Sequence, residues 1–131
     1  MQSNVEIARE YVKAIESGAT GDSLARFFAS DVVIREMPNR VAPNGSTSDL
    51  TKALQGAERG KQLFQRQTYT ITNMLSEGGH VALEMDWIGI TAVPIQNLPP
   101  GSEIRDHVAV FLQFRGGRIA RQHTYDCIEP W

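Results

Sequence analysis

The sequence predicts an α+β fold: three amino-terminal helices packed on a strongly curved, mostly antiparallel sheet, closing a cone with a pocket inside. Two observations carry this prediction. The last fifty residues read as three long strands joined by a proline-rich loop and glycine turns, and long strands in succession pair antiparallel and curl. Most of the chain before them has helical spacing, which supplies the layer that covers one face of such a sheet.

Each element has its own signal. Ser3-Asn4-Val5-Glu6 has the spacing of a capping box. Ala8, Tyr11, Val12 and Ile15 then share one apolar face, and Gly18 stops the helix. Asp22 is the expected cap of a second, shorter helix carrying Leu24, Phe27 and Phe28. Val32-Val33-Ile34 is β-branched and predicts a strand. Met37 to Thr47 holds Pro38, Pro43, Asn44 and Gly45 and predicts a loop. Asp49 is the cap of a third helix, with Leu50, Ala53, Leu54, Ala57 and Phe64 near one stripe. Gln67 to Leu75 is rich in Thr, Tyr and Ile and predicts a strand, and Ser76 to Gly79 a turn. The long strands are His80 to Thr91, Glu103 to Phe114 and Arg118 to Asp126. A loop with Pro94, Pro99, Pro100 and Gly101 separates the first two, and Arg115-Gly116-Gly117 turns between the last two.

Composition narrows the function. The 131 residues suit one domain, spanning 1–131. Hydrophobic residues at 41% and charged residues at 21% give an ordinary globular balance, enough for a core without staples. The net charge is −2 and the basic residues are scattered, which disfavours a nucleic-acid surface. Cys127 is the only cysteine, so no internal disulfide forms. No apolar run approaches the ~20 residues of a membrane helix, and the first residues are polar. A cytoplasmic location is the expectation, with neither membrane nor nucleic acid as partner. The chain has no glycine-rich phosphate loop, no serine elbow and no HxH or HxxxH set, so neither cofactor nor metal is expected.

Three stretches point to a family. Ala8-Arg9-Glu10-Tyr11-Val12-Lys13-Ala14-Ile15-Glu16-Ser17-Gly18, Leu24-Ala25-Arg26-Phe27-Phe28-Ala29-Ser30-Asp31-Val32 and Phe114-Arg115-Gly116-Gly117-Arg118-Ile119 carry the resemblance. With the element order, they make the chain resemble the nuclear transport factor 2-like superfamily. Within it the closest likeness is to SnoaL-like polyketide cyclases and ketosteroid isomerase-like proteins. The resemblance covers almost the whole chain. It implies a cystatin-like roll, and it is specific for fold more than for function, because enzymes, adaptors and binding proteins share this scaffold.

Six residues are candidates for chemistry. Tyr11 lies on the apolar stripe of the first helix and faces the sheet; by resemblance to the isomerases it would donate a hydrogen bond to a substrate oxygen. The plainer alternative is a core tyrosine whose hydroxyl bonds a neighbour. Glu36 aligns with the isomerases' carboxylate base, or is an exposed strand-end charge. The isomerases' second donor, a protonated aspartate, falls on Val110, which cannot donate. Asp106 shares strand parity with Val110 and is placed to line the rim of the same pocket. On the last strand Gln122, Thr124 and Asp126 share one face, and Arg121, His123 and Tyr125 the other. A one-residue shift at the turn would exchange these faces. The cyclases use a late aspartate as acid and base, helped by a histidine; Asp126 is the candidate for the first, His107 and His123 for the second.

Val81, Leu83, Trp87, Val108, Phe111 and Leu112 are too many apolar residues for one concave face, so some should point outward. An apolar outer face predicts a homodimer formed sheet to sheet. Two functional readings remain. One is cofactor-free acid–base catalysis on a small apolar carbonyl compound, with Glu36 or Asp126 moving the proton and Tyr11 holding the oxyanion. The other is a non-catalytic module that binds a small apolar ligand or dimerises.

Overall fold

The computed structural model describes residues 2–131. Three helices, α1 (Asn4–Glu16), α2 (Gly21–Ala25) and α3 (Leu50–Leu63), accompany six strands. The strands are β1 (Phe28–Glu36), β2 (Ser46–Ser48), β3 (Phe64–Glu77), β4 (His80–Thr91), β5 (Glu103–Arg115) and β6 (Arg118–Ile128). They form one sheet in the order β2-β1-β6-β5-β4-β3. Only β1 and β6 run parallel; the other pairs are antiparallel.

Local chemistry fixes the helix starts. Ser3 accepts from the Glu6 amide at 3.2 Å, and Asp49 accepts from the Lys52 amide at 2.9 Å. Ala8, Tyr11 and Val12 are the buried face of α1. That face packs on the sheet with Leu83, Met85, Val108, Val110 and Leu112 in one core. α3 buries no residue fully; Leu50, Leu54 and Ala57 rest partly buried against the same core.

The sheet bends at irregularities. The ladder shifts between Phe64 and Arg66, between Ile71 and Asn73, and between Gln113 and Phe114. Each such insertion adds local twist and turns the strand across the concave side. Gly89 provides room at this bend. A Cβ there would enter the Trp87 ring and lie 3.0 Å from Phe64 Cδ1. The Trp87 and Phe64 rings meet edge to face there, 5.1 Å apart.

Several expectations require correction. The Met37–Thr47 loop ends in β2, whose Ser46 and Thr47 pair with Glu36 and Arg35. Thr20, not Asp22, is the N-cap of α2, and that helix ends before Phe27 and Phe28. Phe28 instead pairs with Ile119 of β6, a long-range ladder contact that outweighs the local helical pattern. Phe64 opens β3 rather than completing the stripe of α3. The outer sheet face is less apolar than expected. Val81, Leu83 and Trp87 share one parity on β4, Val108 and Leu112 share the inward parity on β5, and all five pack on the core. Only Phe111 of the six points outward, 53% exposed, against Tyr125.

Replacing Gly89 with alanine forces Trp87 and Phe64 apart. Gly89→Ala is expected to lower the unfolding free energy by about 1–3 kcal/mol, read from the urea midpoint by circular dichroism. A midpoint equal to the parent's would show that the ring pair does not need this gap.

Candidate active site

Alternation along β4, β5 and β6 turns every second side chain into the concavity. Together with α1 and the start of β3 they enclose a cavity of about 650 Å³. Most of its wall is hydrocarbon, including Leu83, Met85, Ile104, Val108 and Val110. The polar groups come from α1 (Tyr11), β3 (Gln67 and Tyr69), β5 (Asp106) and β6 (Gln122, Thr124 and Asp126), with Glu36 at the end of β1 and Asn39 just after it.

Tyr11 is 4% exposed and sits between Phe27 and Phe28, each ring 5.5 Å away. Its hydroxyl donates to Gln122 Oε1 at 2.7 Å, and Gln122 Nε2 donates to Thr124 Oγ1 at 3.1 Å. Burial raises the Tyr11 pKa well above the ordinary phenol value, with Tyr69 adding to the rise and the Gln122 bond opposing it. The phenol therefore stays protonated.

Asp106 and Asp126 are the centre of the site. The register pairs Val108 with Asp126, which makes Asp106 and Asp126 diagonal neighbours on one face. Asp106 is 7% exposed, and among the described residues its sealed Oδ1 receives no donor from the protein. Asp126 is pushed up from 3.8 to about 8, first by burial, then by its hydrogen bond to Asp106 and by that residue's charge. Two carboxylates have no donor between them, so only a proton can join them. Asp126 is therefore the member of the pair that burial and its neighbour's charge drive toward the protonated form, in a wall that is mostly hydrocarbon.

Tyr69 was not legible as a site residue. It follows Gln67 by two positions on β3, and both line the cavity. Its pKa is raised by burial, then by the charges of Asp126, Asp106 and Glu16. Among the described residues its hydroxyl has no hydrogen-bond partner, although its amide donates to Glu16 Oε2 at 2.8 Å. The signal available in sequence was the alternation Gln67, Tyr69, Ile71. Gln67 is itself engaged, accepting from Trp87 Nε1 at 2.9 Å.

The other candidates lie apart from this centre. Glu36 lines the cavity at its rim, where Oε1 accepts from Asn39 at 2.9 Å and Oε2 from Ser46 at 3.4 Å. It fastens the turn after β1. His107 and His123 have the opposite strand parity from Asp106 and Asp126, so neither lines the cavity with Asp126. His107 instead bridges Asp86 at 2.9 Å and Glu129 at 2.8 Å in solvent, and those two carboxylates raise its pKa. Above the cavity, Arg40 stacks on Trp131 at 3.8 Å and donates to its carbonyl. Trp131 Nε1 donates to Asn97, and Gln96 donates to the Arg40 carbonyl. Val41 and Ile95 line the cavity beside this tie.

Among the described residues no three His, Cys, Asp or Glu side chains stand close enough to hold a metal ion. None of the described helices is long and apolar enough to cross a membrane.

A curved, unclosed sheet covered by helices, with a hollow on its concave side, defines the nuclear transport factor 2-like class. The chain belongs to the SnoaL-like domain family, whose model matches residues 8–122. IdmH from Streptomyces antibioticus, provisionally described as a polyketide cyclase, is 22% identical with a TM-score of 0.79, over 95% of this chain and 92% of that one. A SnoaL-like polyketide cyclase from Agrobacterium tumefaciens is 15% identical with a TM-score of 0.73, over 98% and 93%. A protein of ketosteroid isomerase-like fold from Catenulispora acidiphila, solved with trimethylamine, is 22% identical with a TM-score of 0.70, over 92% and 84%. These likenesses show the fold. Comparison with curated proteins finds no match.

The acid pair makes stability depend on pH. The folded Asp126 value lies above the unfolded one, so the folded chain keeps a proton that the unfolded chain releases. Its contribution is complete below the ordinary value of 3.8 and is lost as pH rises through about 8. Asp126→Asn removes this loss. Calorimetry is expected to show Tm about 3–8 °C above the parent at pH 8–9, with the two converging near pH 4. A constant difference across this range would mean that Asp126 is not the buried proton carrier.

Proposed function

We propose that the cavity performs cofactor-free acid–base chemistry on a small apolar carbonyl compound: isomerisation, cyclisation or a related proton transfer. The single observation that carries this reading is the Asp106–Asp126 pair, a proton carrier with a pKa near neutrality inside an apolar wall. The family's polyketide cyclases lend it chemical context.

The carboxylate of the pair takes a proton from the carbon next to the substrate carbonyl. The C–H electrons enter the new C=C bond, and the carbonyl oxygen becomes an enolate. Tyr69 donates to that oxygen. Tyr11 joins when the Gln122 amide turns over, because Nε2 then donates to the phenol oxygen and frees its proton. Returning the proton to another carbon completes an isomerisation. Attack of the enolate carbon on a second carbonyl, with Asp126 protonating the new alkoxide, completes a cyclisation. Hydrocarbon walls keep water from the enolate.

Three observations favour the alternative of a non-catalytic binding or dimerisation module. Val110 stands where the isomerases carry their second donor, and the Tyr11 proton is already given to Gln122. The exposed Phe111–Tyr125 pair on the outer face is where a sheet-to-sheet dimer would meet.

Exchange of solvent deuterium into a panel of apolar cyclic ketones, followed by NMR, separates the readings. The parent is expected to exchange the position beside the carbonyl. Asp126→Asn should lose about 10²–10³-fold, and Tyr69→Phe about tenfold. Equal rates in parent and Asp126→Asn, or no exchange across the panel, leave the binding module as the function.

A further inference from the structure

The lining has one chemical bias that the proton-transfer reading does not use. Every charged side chain on it is acidic: Glu36 at the rim, Asp106 and Asp126 within, with no Lys, Arg or His. Glu36 has Asn39 and Ser46 as donors. Asp106 Oδ1, on a residue 7% exposed, accepts no hydrogen bond from the described residues. A buried charge is normally matched by a counter-charge, because hydrocarbon supplies none of the solvation it lost. The four salt bridges of the described residues all lie elsewhere. The chain leaves this site without a cationic partner and lines its cavity with rings. Tyr11, Phe64, Tyr69 and Trp87 all line the same cavity, and aromatic faces attract cations.

We propose that the cavity takes an apolar compound bearing one protonated amine, its ammonium seated on the Asp106–Asp126 pair and its hydrocarbon body on the aromatic wall. The ligand then supplies the positive charge that the protein omits. The N–H donates to the pair, and the ring faces of Trp87 and Tyr69 stabilise the alkyl groups on nitrogen. The same bias excludes carboxylates, phosphates and coenzyme A esters, which would bring a second negative charge to an uncompensated one. The inference builds on the acid pair of the proton-transfer reading and names the charge of its occupant, whether or not a reaction follows.

Three molecules of nearly one shape test it: N,N-dimethylbenzylamine, neutral isobutylbenzene and the anion phenylacetate. Dissociation constants are measured at pH 7 by NMR titration of the parent protein. The amine is expected to bind at least tenfold more tightly than isobutylbenzene, and phenylacetate not to bind. In the double variant Asp106→Asn/Asp126→Asn the preference should collapse while isobutylbenzene still binds, which shows that the cavity persists. Single Asp126→Asn, which keeps Asp106, should retain the preference. A preference below tenfold in the parent, phenylacetate binding as tightly as the amine, or a preference that survives the double variant overturns the proposal. Because the readout is binding, its failure leaves the deuterium-exchange result standing. Loss of exchange likewise leaves the amine preference intact.

Discussion

The register between β5 and β6 is the constraint on which the site depends. It sets Val108 opposite Asp126 and Val110 opposite Thr124, and alternation then fixes which side chains enter the cone. A slip of one residue would send Gln122, Thr124 and Asp126 to solvent and bring His123 and Tyr125 inside. The glycine turn holds this register, with Gly116 and Gly117 both at positive φ. The irregularity between Gln113 and Phe114 adjusts the pairing next to that turn. Backbone geometry at one hairpin thus decides the electrostatics some residues away.

What that geometry creates is a charge problem with two solutions on one molecule. Along the outer face, carboxylates meet basic groups in water: Glu103 with Arg105, Asp31 with Arg115, and Asp86 and Glu129 with His107. Such exposed pairs contribute little to stability. Inside, Asp126 meets another acid, and burial raises its pKa first, the Asp106 carboxylate second. That is costly for folding wherever the carboxyl must ionise, because the apolar wall supplies none of the solvation the charge loses.

The parts of the fold written in local chemistry were legible in the sequence. The Ser3 and Asp49 caps, the Gly18 stop and the alternation of β4 needed no distant partner. Features set by long-range pairing were not. β2 forms because Glu36 and Arg35 offer an open ladder, and Phe28 leaves its helical pattern for Ile119. The same division holds at the site. The parity of Gln122, Thr124 and Asp126 followed from the hairpin; the parity of Asp106 followed from its spacing to Val110, but its depth did not, since it is buried in the wall and not at the rim. Their diagonal contact depends on cross-strand register, and Tyr69 reaches the cavity through a strand whose start was misplaced. The outer face was misjudged because residue type was counted without parity; counted by parity, five of the six apolar side chains turn inward.

The tie above the cavity joins three regions of chain that are far apart in sequence. Arg40, Asn97 and Trp131 hold one another through a stacked ring and side-chain hydrogen bonds, and each link supports the others. Such a knot loosens as a unit rather than strand by strand. Val41 and Ile95, the cavity-lining residues beside the knot, are thereby held in place by contacts that lie outside the cavity wall.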